Sequence, residues 1–169
     1  MIIVFRYGHR FIRDKRLTTH CALIAHAFNA NQFILHGNKD QKLINSIEKM
    51  IYNWGEDFKV SFEKDYKDYI ISKKNEGYKI VHLTMYGLPF QDSLNDIKNN
   101  NAVVIIGSKK VASDIFELAD YNLSIGNLPH SEAAALAVFL YELFDHKVKT
   151  IRKSKKIIIP SKAQKIVKS

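Results

Sequence analysis

The sequence predicts an α/β fold, a mainly parallel sheet with helices on both faces, and three observations carry that expectation. Strand-like and helix-like stretches alternate along the whole chain. Several strand-like stretches, Ala102 to Ile106 above all, are near-continuous apolar runs, the pattern of strands buried on both faces. A length of 169 residues suits one compact domain, long enough to bury roughly two thirds of its unfolded surface.

Taken in order, Ile2 to Phe5 is an apolar strand and Leu17 to Phe28 a helix. Phe33 to His36 is the second strand, and Asp40 to Trp54 a helix with Leu43, Ile47, Met50, Ile51 and Trp54 on one face. Phe58 to Phe62 is a strand, Asp65 to Lys74 a helix ending near Gly77, and Lys79 to Thr84 the fourth strand. Gln91 to Lys98 reads as a helix, Ala102 to Ile106 as a strand, and Ser113 to Leu118 as a short helix. Tyr121 to Ile125 is a strand that breaks at Gly126, turns through Asn127 and Pro129, and restarts as a helix with Ser131 as N-cap and Glu132 in the first turn. That helix is apolar almost all round, with Ala133 to Ala135 beside Leu136, Phe139, Leu140, Leu143 and Phe144, so its second face suggests a partner subunit. The single domain is placed at residues 1–146. A basic extension, 147–169, follows, in which Ile157 to Ile159 before Pro160 reads as an edge strand or an arm packed on the body.

Hydrophobic content of 46% and charged content of 25% are those of a soluble globular protein, and no apolar run approaches the ~20 residues of a membrane span. The chain opens on an apolar strand without a basic leader, which points to the cytoplasm. Cys21 is alone, which excludes an internal disulfide; its apolar flanks suggest a buried helix residue, a reactive thiol being the alternative.

The net charge of +9 is unevenly placed. Nine Lys or Arg and no acidic residue lie from Lys147 onward, leaving 17 basic and 17 acidic side chains in the body. Four of the five arginines are Arg6, Arg10, Arg13 and Arg16, while lysine serves the surface elsewhere. Arginine offers a planar fork matched to phosphate, so this confinement points to phosphate or nucleic-acid contact; a solvated turn and a solubilising tail are the alternative.

In open α/β sheets ligands sit beyond the carboxyl ends of the strands. Three loops there stand out: Leu83 to Gly87, Gly107 to Val111 and Ile125 to Glu132. A dinucleotide fold would put a glycine-rich turn after the first strand and an acid after the second; GHRFIRDKR and HGNK carry neither.

The segments GHRFIRDKRLTTHCALIAHAF, VHLTMYG and GSKKVASDIFELADYNLSIGNLPHSEAAALA, with KIIIPSKAQKIV at the end, resemble the archaeal tRNA 2'-O-methyltransferases of cytidine 56 in the T loop, members of the SPOUT superfamily. The likeness runs in order over nearly the whole chain. It implies a deep trefoil knot in the C-terminal part, a homodimer, tRNA as substrate and S-adenosylmethionine (SAM) bound bent among the knot loops.

Carried over position by position, the resemblance implies a donor site of Leu83, then Gly107, Ser108, Lys109, Lys110 and Val111, then Ile125, Gly126, Asn127, Leu128, Pro129, His130, Ser131 and Glu132. Gly87, Gly107 and Gly126 would let backbone approach a flat adenine, with Leu83 and Leu128 as apolar walls. The implied reaction transfers the sulfonium methyl to a ribose 2'-hydroxyl, whose proton must be removed while oxygen, methyl and sulfur are held in line. The family assigns that role to an arginine of the N-terminal motif acting with a substrate phosphate. Arg16 is the position expected to be catalytic, and Arg10, Arg13, Thr19 and His20 are expected on the RNA, with His20 the alternative proton acceptor because histidine's ordinary pKa suits it better. The chain departs from the family at Lys109, Ala112 and His26, and a non-catalytic RNA-binding protein on the same scaffold is the alternative function.

Seven histidines lack the spacing or cysteine partners of zinc sites, so no metal is expected. Tyr52, Trp54, Tyr66 and Tyr69 recur at helical intervals and read as core.

Overall fold

The computed structural model describes residues 1–55, 58–107, 111–148 and 154–169. The elements run β1 (Ile2–His9), α1 (Lys15–Ala27), β2 (Gln32–Gly37), α2 (Gln41–Tyr52), β3 (Lys59–Phe62), α3 (Tyr66–Asn75), β4 (Lys79–Pro89), a 3₁₀ turn (Phe90–Ser93), α4 (Leu94–Lys98), β5 (Ala102–Gly107), α5 (Ser113–Leu118), β6 (Tyr121–Ser124), α6 (Glu132–Leu143), β7 (Ile157–Ile159) and β8 (Ile166–Lys168). The first six strands form one parallel sheet in the order β3-β2-β1-β5-β4-β6. Alternate residues of the central strands leave for opposite faces, which is why their sequences are apolar throughout. Ile2 and Val4 of β1 join Val104 and Ile106 of β5 under α1, α2 and α6, while Ile3, Phe5, Val103 and Ile105 pack with Ile70 of α3 and Ile115 of α5.

The strand order reverses between β1 and β5, and the carboxyl end of such a switch point is where open parallel sheets open a crevice. Everything that follows β1 and β5 is thereby delivered to one edge. Gly37 fixes how the chain leaves it: its φ is +114°, and an added Cβ would lie 2.5 Å from the His9 carbonyl oxygen. Gly37→Ala is therefore expected to destabilise the fold by roughly 2 kcal/mol or more, read as a lowered denaturation midpoint at unchanged slope.

Three sequence expectations change. β4 does not stop at Thr84 but continues to Pro89 with its register to β6 shifted between Leu83 and Leu88, so the expected first loop is a bulged strand. The 157–159 run is no edge of the main sheet; it pairs antiparallel with β8, with the Lys156 N–H donating to the Asn53 carbonyl and the Lys155 ammonium 3.9 Å from the Tyr52 ring centre. Tyr52 is accordingly an exposed ring and not core, whereas Tyr66 and Tyr69 do pack against the second core cluster. Cys21 is fully buried, and burial pushes its thiol up to about 12, which removes the reactive-thiol alternative.

Candidate active site

The loop after β1 is built around Asp14, a buried carboxylate that sequence inspection does not single out. Asp14 Oδ2 accepts from the backbone N–H and the Nε of Arg10 (3.1 and 3.2 Å), and its Oδ1 lies 3.4 Å from Arg13 Nε. Thr18 N–H donates to the Asp14 carbonyl, so α1 begins at Lys15, two residues before Leu17. Below the loop, His9 contacts Thr18 Oγ1 through Nδ1 (2.9 Å) and places Nε2 3.8 Å from Asp40 Oδ2. Burial lowers the His9 pKa, against the upward pull of Asp40, so the ring is held neutral. Asp40 caps α2 by accepting from the Leu43 N–H, and Lys15 lies 3.5 Å away. The arginine loop thus stands on a fixed polar base, with Arg10 and Arg13 still about half exposed.

Arg16 occupies the first turn of α1, exposed, and among the described residues its side chain has no hydrogen bond or ion pair. Thr19 donates from its hydroxyl to the Lys15 carbonyl, and His20 is exposed one turn on. Arg6 behaves differently from the other three. It points into the core at 0% exposure, its Nη1 donates to the Tyr7 carbonyl at 2.6 Å, and its Nη2 lies 3.2 Å from Glu132 Oε2 on α6. The expectation that all four arginines face phosphate fails at Arg6. An arginine inside the run IIVFRY was the available signal, since a buried cation demands an anion nearby.

Of the expected donor segments, 125–130 lines an open hollow of about 350 Å³. Gly126 meets no atom within 4 Å of an added Cβ, leaving the space in front of its backbone free. Asn127 Nδ2 donates to the Met85 carbonyl at 2.7 Å, tying this loop to the β4 bulge. Leu128 is 80% exposed, and the His130 Nδ1–H donates to its carbonyl at 2.7 Å. Ser131 caps α6, its Oγ accepting from the Ala133 N–H at 3.2 Å, as expected. Ile125 is half-buried and Pro129 exposed. Two expected walls change character. Leu83 is buried in the core opposite Leu123, and Gly87 is required by close strand packing, an added Cβ there falling 2.6 Å from the Asn122 backbone. Gly107 packs under Val111 and beside Tyr7 at the end of β1, so the second segment also reaches the switch point. Ser108, Lys109 and Lys110 lie outside the described residues.

Ala112 has the extended backbone, φ −62° and ψ 143°, that proline would also adopt, so its departure from the family leaves the turn intact. His26 is packed edge-on to Phe58 in the core, away from the arginine loop. Among the described residues no three His, Cys, Asp or Glu side chains come together as a metal site, and no helix is long and apolar enough to cross a membrane.

One edge therefore carries an arginine-rich loop, a free arginine and an open loop-lined hollow. A family profile described as tRNA ribose 2'-O-methyltransferase, aTrm56, matches residues 54–168. The chain belongs to this family. The tRNA (cytidine(56)-2'-O)-methyltransferase of Methanosphaera stadtmanae is 43% identical over 99% of this chain and 98% of its own length. That of Methanocaldococcus jannaschii is 42% identical over 99% and 96%. Among solved structures, the A. aeolicus TrmH/SpoU tRNA modifying enzyme superposes with a TM-score of 0.66 at 16% identity, covering 86% of this chain and 74% of its own. The SpoU methyltransferase AviRb from Streptomyces viridochromogenes, solved with AdoMet, gives 0.62 at 14% identity over 86% and 57%. These two establish a shared fold; the family assignment rests on the profile and the relatives.

Proposed function

We propose that this member of the family transfers the methyl group of SAM to the ribose 2'-hydroxyl of cytidine 56 in tRNA. The observation that carries the reading is its near-full-length kinship with enzymes of that specificity, together with an arginine face and a hollow on one edge of the sheet. The residues fit the donor: Gly126 leaves room for a flat ring against the backbone, and segment 125–130 surrounds the space. Gly107 and Val111, Leu128 as apolar wall and Ser131 at the head of α6 complete the proposed donor site, in which SAM would supply an electrophilic methyl on sulfur. Leu83 enters it through the backbone only, since its side chain belongs to the core.

On the RNA side, Arg10 and Arg13 are proposed to hold phosphates, with Thr19 and His20 beside them. Arg16 is proposed as the catalytic arginine, orienting the reacting ribose through the adjacent phosphate, because it is exposed and has no partner of its own among the described residues. A deep trefoil knot in the C-terminal part, a homodimer and a cytoplasmic location complete the proposal. The outward face of α6 supports the dimer, since Val138 and Tyr141 stay 43% and 40% exposed there; light scattering should return twice the monomer mass. The non-catalytic alternative gains nothing from His26 or Ala112, both of which have structural roles.

Incubation with SAM and an unmodified tRNA transcript should yield 2'-O-methylcytidine in the nucleoside digest. Gly126→Ala is expected to keep the wild-type melting temperature, since its Cβ would enter open space at an ordinary φ, while weakening SAM binding in a calorimetric titration by about tenfold. Undiminished SAM affinity in that variant would move the donor out of this hollow.

A further inference from the structure

Transfer of a methyl to a hydroxyl releases a proton, and an arginine, being charged at all working pH values, is poorly suited to receive it. We propose that Glu132 is the general base, taking the 2'-hydroxyl proton of the substrate ribose, and that buried Arg6 is the positioning residue that holds its carboxylate in place.

The placement comes first. Glu132 is the first residue of α6, two positions past His130, where the segment that lines the hollow ends, and Ser131 fixes that helix start. On its other side stands the loop after β1, whose Arg10, Arg13 and Asp14 all act on its charge. Glu132 therefore lies between the proposed RNA side and the proposed donor side, where a transferred proton must leave.

The state of the carboxylate comes second. Arg6 Nη2 is 3.2 Å from Oε2, yet the contact lacks hydrogen-bond alignment: Arg6 Nε and Nη2 and Glu132 Oε2 are all sealed from solvent without a hydrogen-bond partner among the described residues. Among the described residues no hydrogen bond reaches the other oxygen either, and the side chain keeps 18% exposure. A carboxylate that accepts several hydrogen bonds is a feeble base; this one is held by charge alone and keeps its lone pairs. Burial raises the Glu132 pKa, and Asp14 adds to the rise, against Arg6, Arg13 and Arg10, which lower it. Cys21 of α1, buried and protonated, also faces it. His9 is occupied, buried between Thr18 and Asp40; exposed His20, and His130, whose Nδ1 is spent on the Leu128 carbonyl while Nε2 stays free, are the competing acceptors, and a full rate in Glu132→Gln would pass the role to one of them.

This assignment rests on the methyltransferase reading above. The ribose oxygen forms a bond to the methyl carbon as the carbon–sulfur bond breaks, the sulfur keeping that electron pair as a neutral thioether. The hydroxyl proton passes to Glu132 and from there to solvent. Arg16 keeps the phosphate contact that orients the ribose.

The test is single-turnover methyl transfer across pH by the wild type, Glu132→Gln and Glu132→Asp, beside calorimetric titrations with SAM and with S-adenosylhomocysteine and tRNA-binding measurements. Expected is a wild-type rate that climbs with pH through a raised glutamate pKa and then levels. Glu132→Gln should bind both nucleosides and tRNA within about threefold of wild type, lose at least about 100-fold in rate, and lose the climb. Glu132→Asp, which keeps a carboxylate beside Arg6, should be intermediate in rate and retain a climb with a displaced midpoint, and it decides the question if the Gln chain fails to fold. A Gln variant with an undiminished rate or an unchanged climb overturns the assignment. So does a selective loss of SAM over S-adenosylhomocysteine affinity with chemistry intact, which would make Glu132 a partner of the sulfonium charge. Absence of transfer by the wild type overturns the function itself, an outcome distinct from wild-type transfer that survives Glu132→Gln.

Discussion

Arg6→Met is expected to lower stability by about 3 kcal/mol, roughly 6–12 °C in melting temperature for a chain of this length, more than the same change at Arg10, Arg13 or Arg16. Methionine refills most of the space, so the loss comes from stranding Glu132 and not from a cavity. The value sits at the lower end for a broken buried pair because Glu132 keeps 18% exposure and some hydration. The pH dependence carries a sign. Glu132 has a folded-state pKa raised by burial, so the folded chain holds that proton longer than the unfolded one, and stability falls as pH climbs from the ordinary glutamate value through the raised one. Removing Arg6 enlarges the rise. The deficit of Arg6→Met should therefore be smallest in acid, below the ordinary glutamate pKa, and complete above the raised pKa. Melting curves from pH 4 to 8 measure it; a deficit that grows toward acid would mean the pair is not what holds β1 to α6.

Arg16→Ala should leave stability within about 0.5 kcal/mol and reduce kcat/KM for methyl transfer by 100-fold or more. No hydrogen bond or ion pair is lost among the described residues, so a large loss of turnover reports the substrate. Lysine keeps the charge but not the fork, and Arg16→Lys should recover only a small part of the rate. Arg13→Ala provides the contrast: its guanidinium already shares Asp14, and its removal should raise KM for tRNA with a smaller effect on kcat. Steady-state kinetics with tRNA varied at saturating SAM separates the two, and a full rate in Arg16→Ala would take the catalytic role from this residue.

The alternation of strands and helices was legible because doubly buried strands such as Ala102 to Ile106 are apolar at every position, and Asp40, Asp65 and Ser131 mark helix starts. The loop that lines the hollow was legible for a related reason, since Gly126, Asn127 and Pro129 interrupt periodicity where a loop must open. What escaped depends on contacts distant in sequence. Gly87 looks like a turn residue until β6 is laid against it, and the extension of β4 to Pro89 exists only through that pairing. β8 is a three-residue run in a lysine-rich tail, too short to signal a strand without β7 beside it. Residue type alone groups Arg6 with Arg10, Arg13 and Arg16, although the alternation of β1 puts its side chain on the same face as Ile2 and Val4, toward α1 and α6. Asp14 carried no signal because one acid among four arginines reads as charge balance, while its burial makes it the anchor of the loop.

The most direct measurement is labelled-methyl transfer from SAM to an unmodified tRNA transcript, beside the same tRNA with 2'-deoxycytidine at position 56. Label entering the first and not the second is the expected result, fixing reaction and acceptor atom together. Label entering both equally, or neither while tRNA remains bound, would contradict 2'-O-methylation of that nucleotide by this chain.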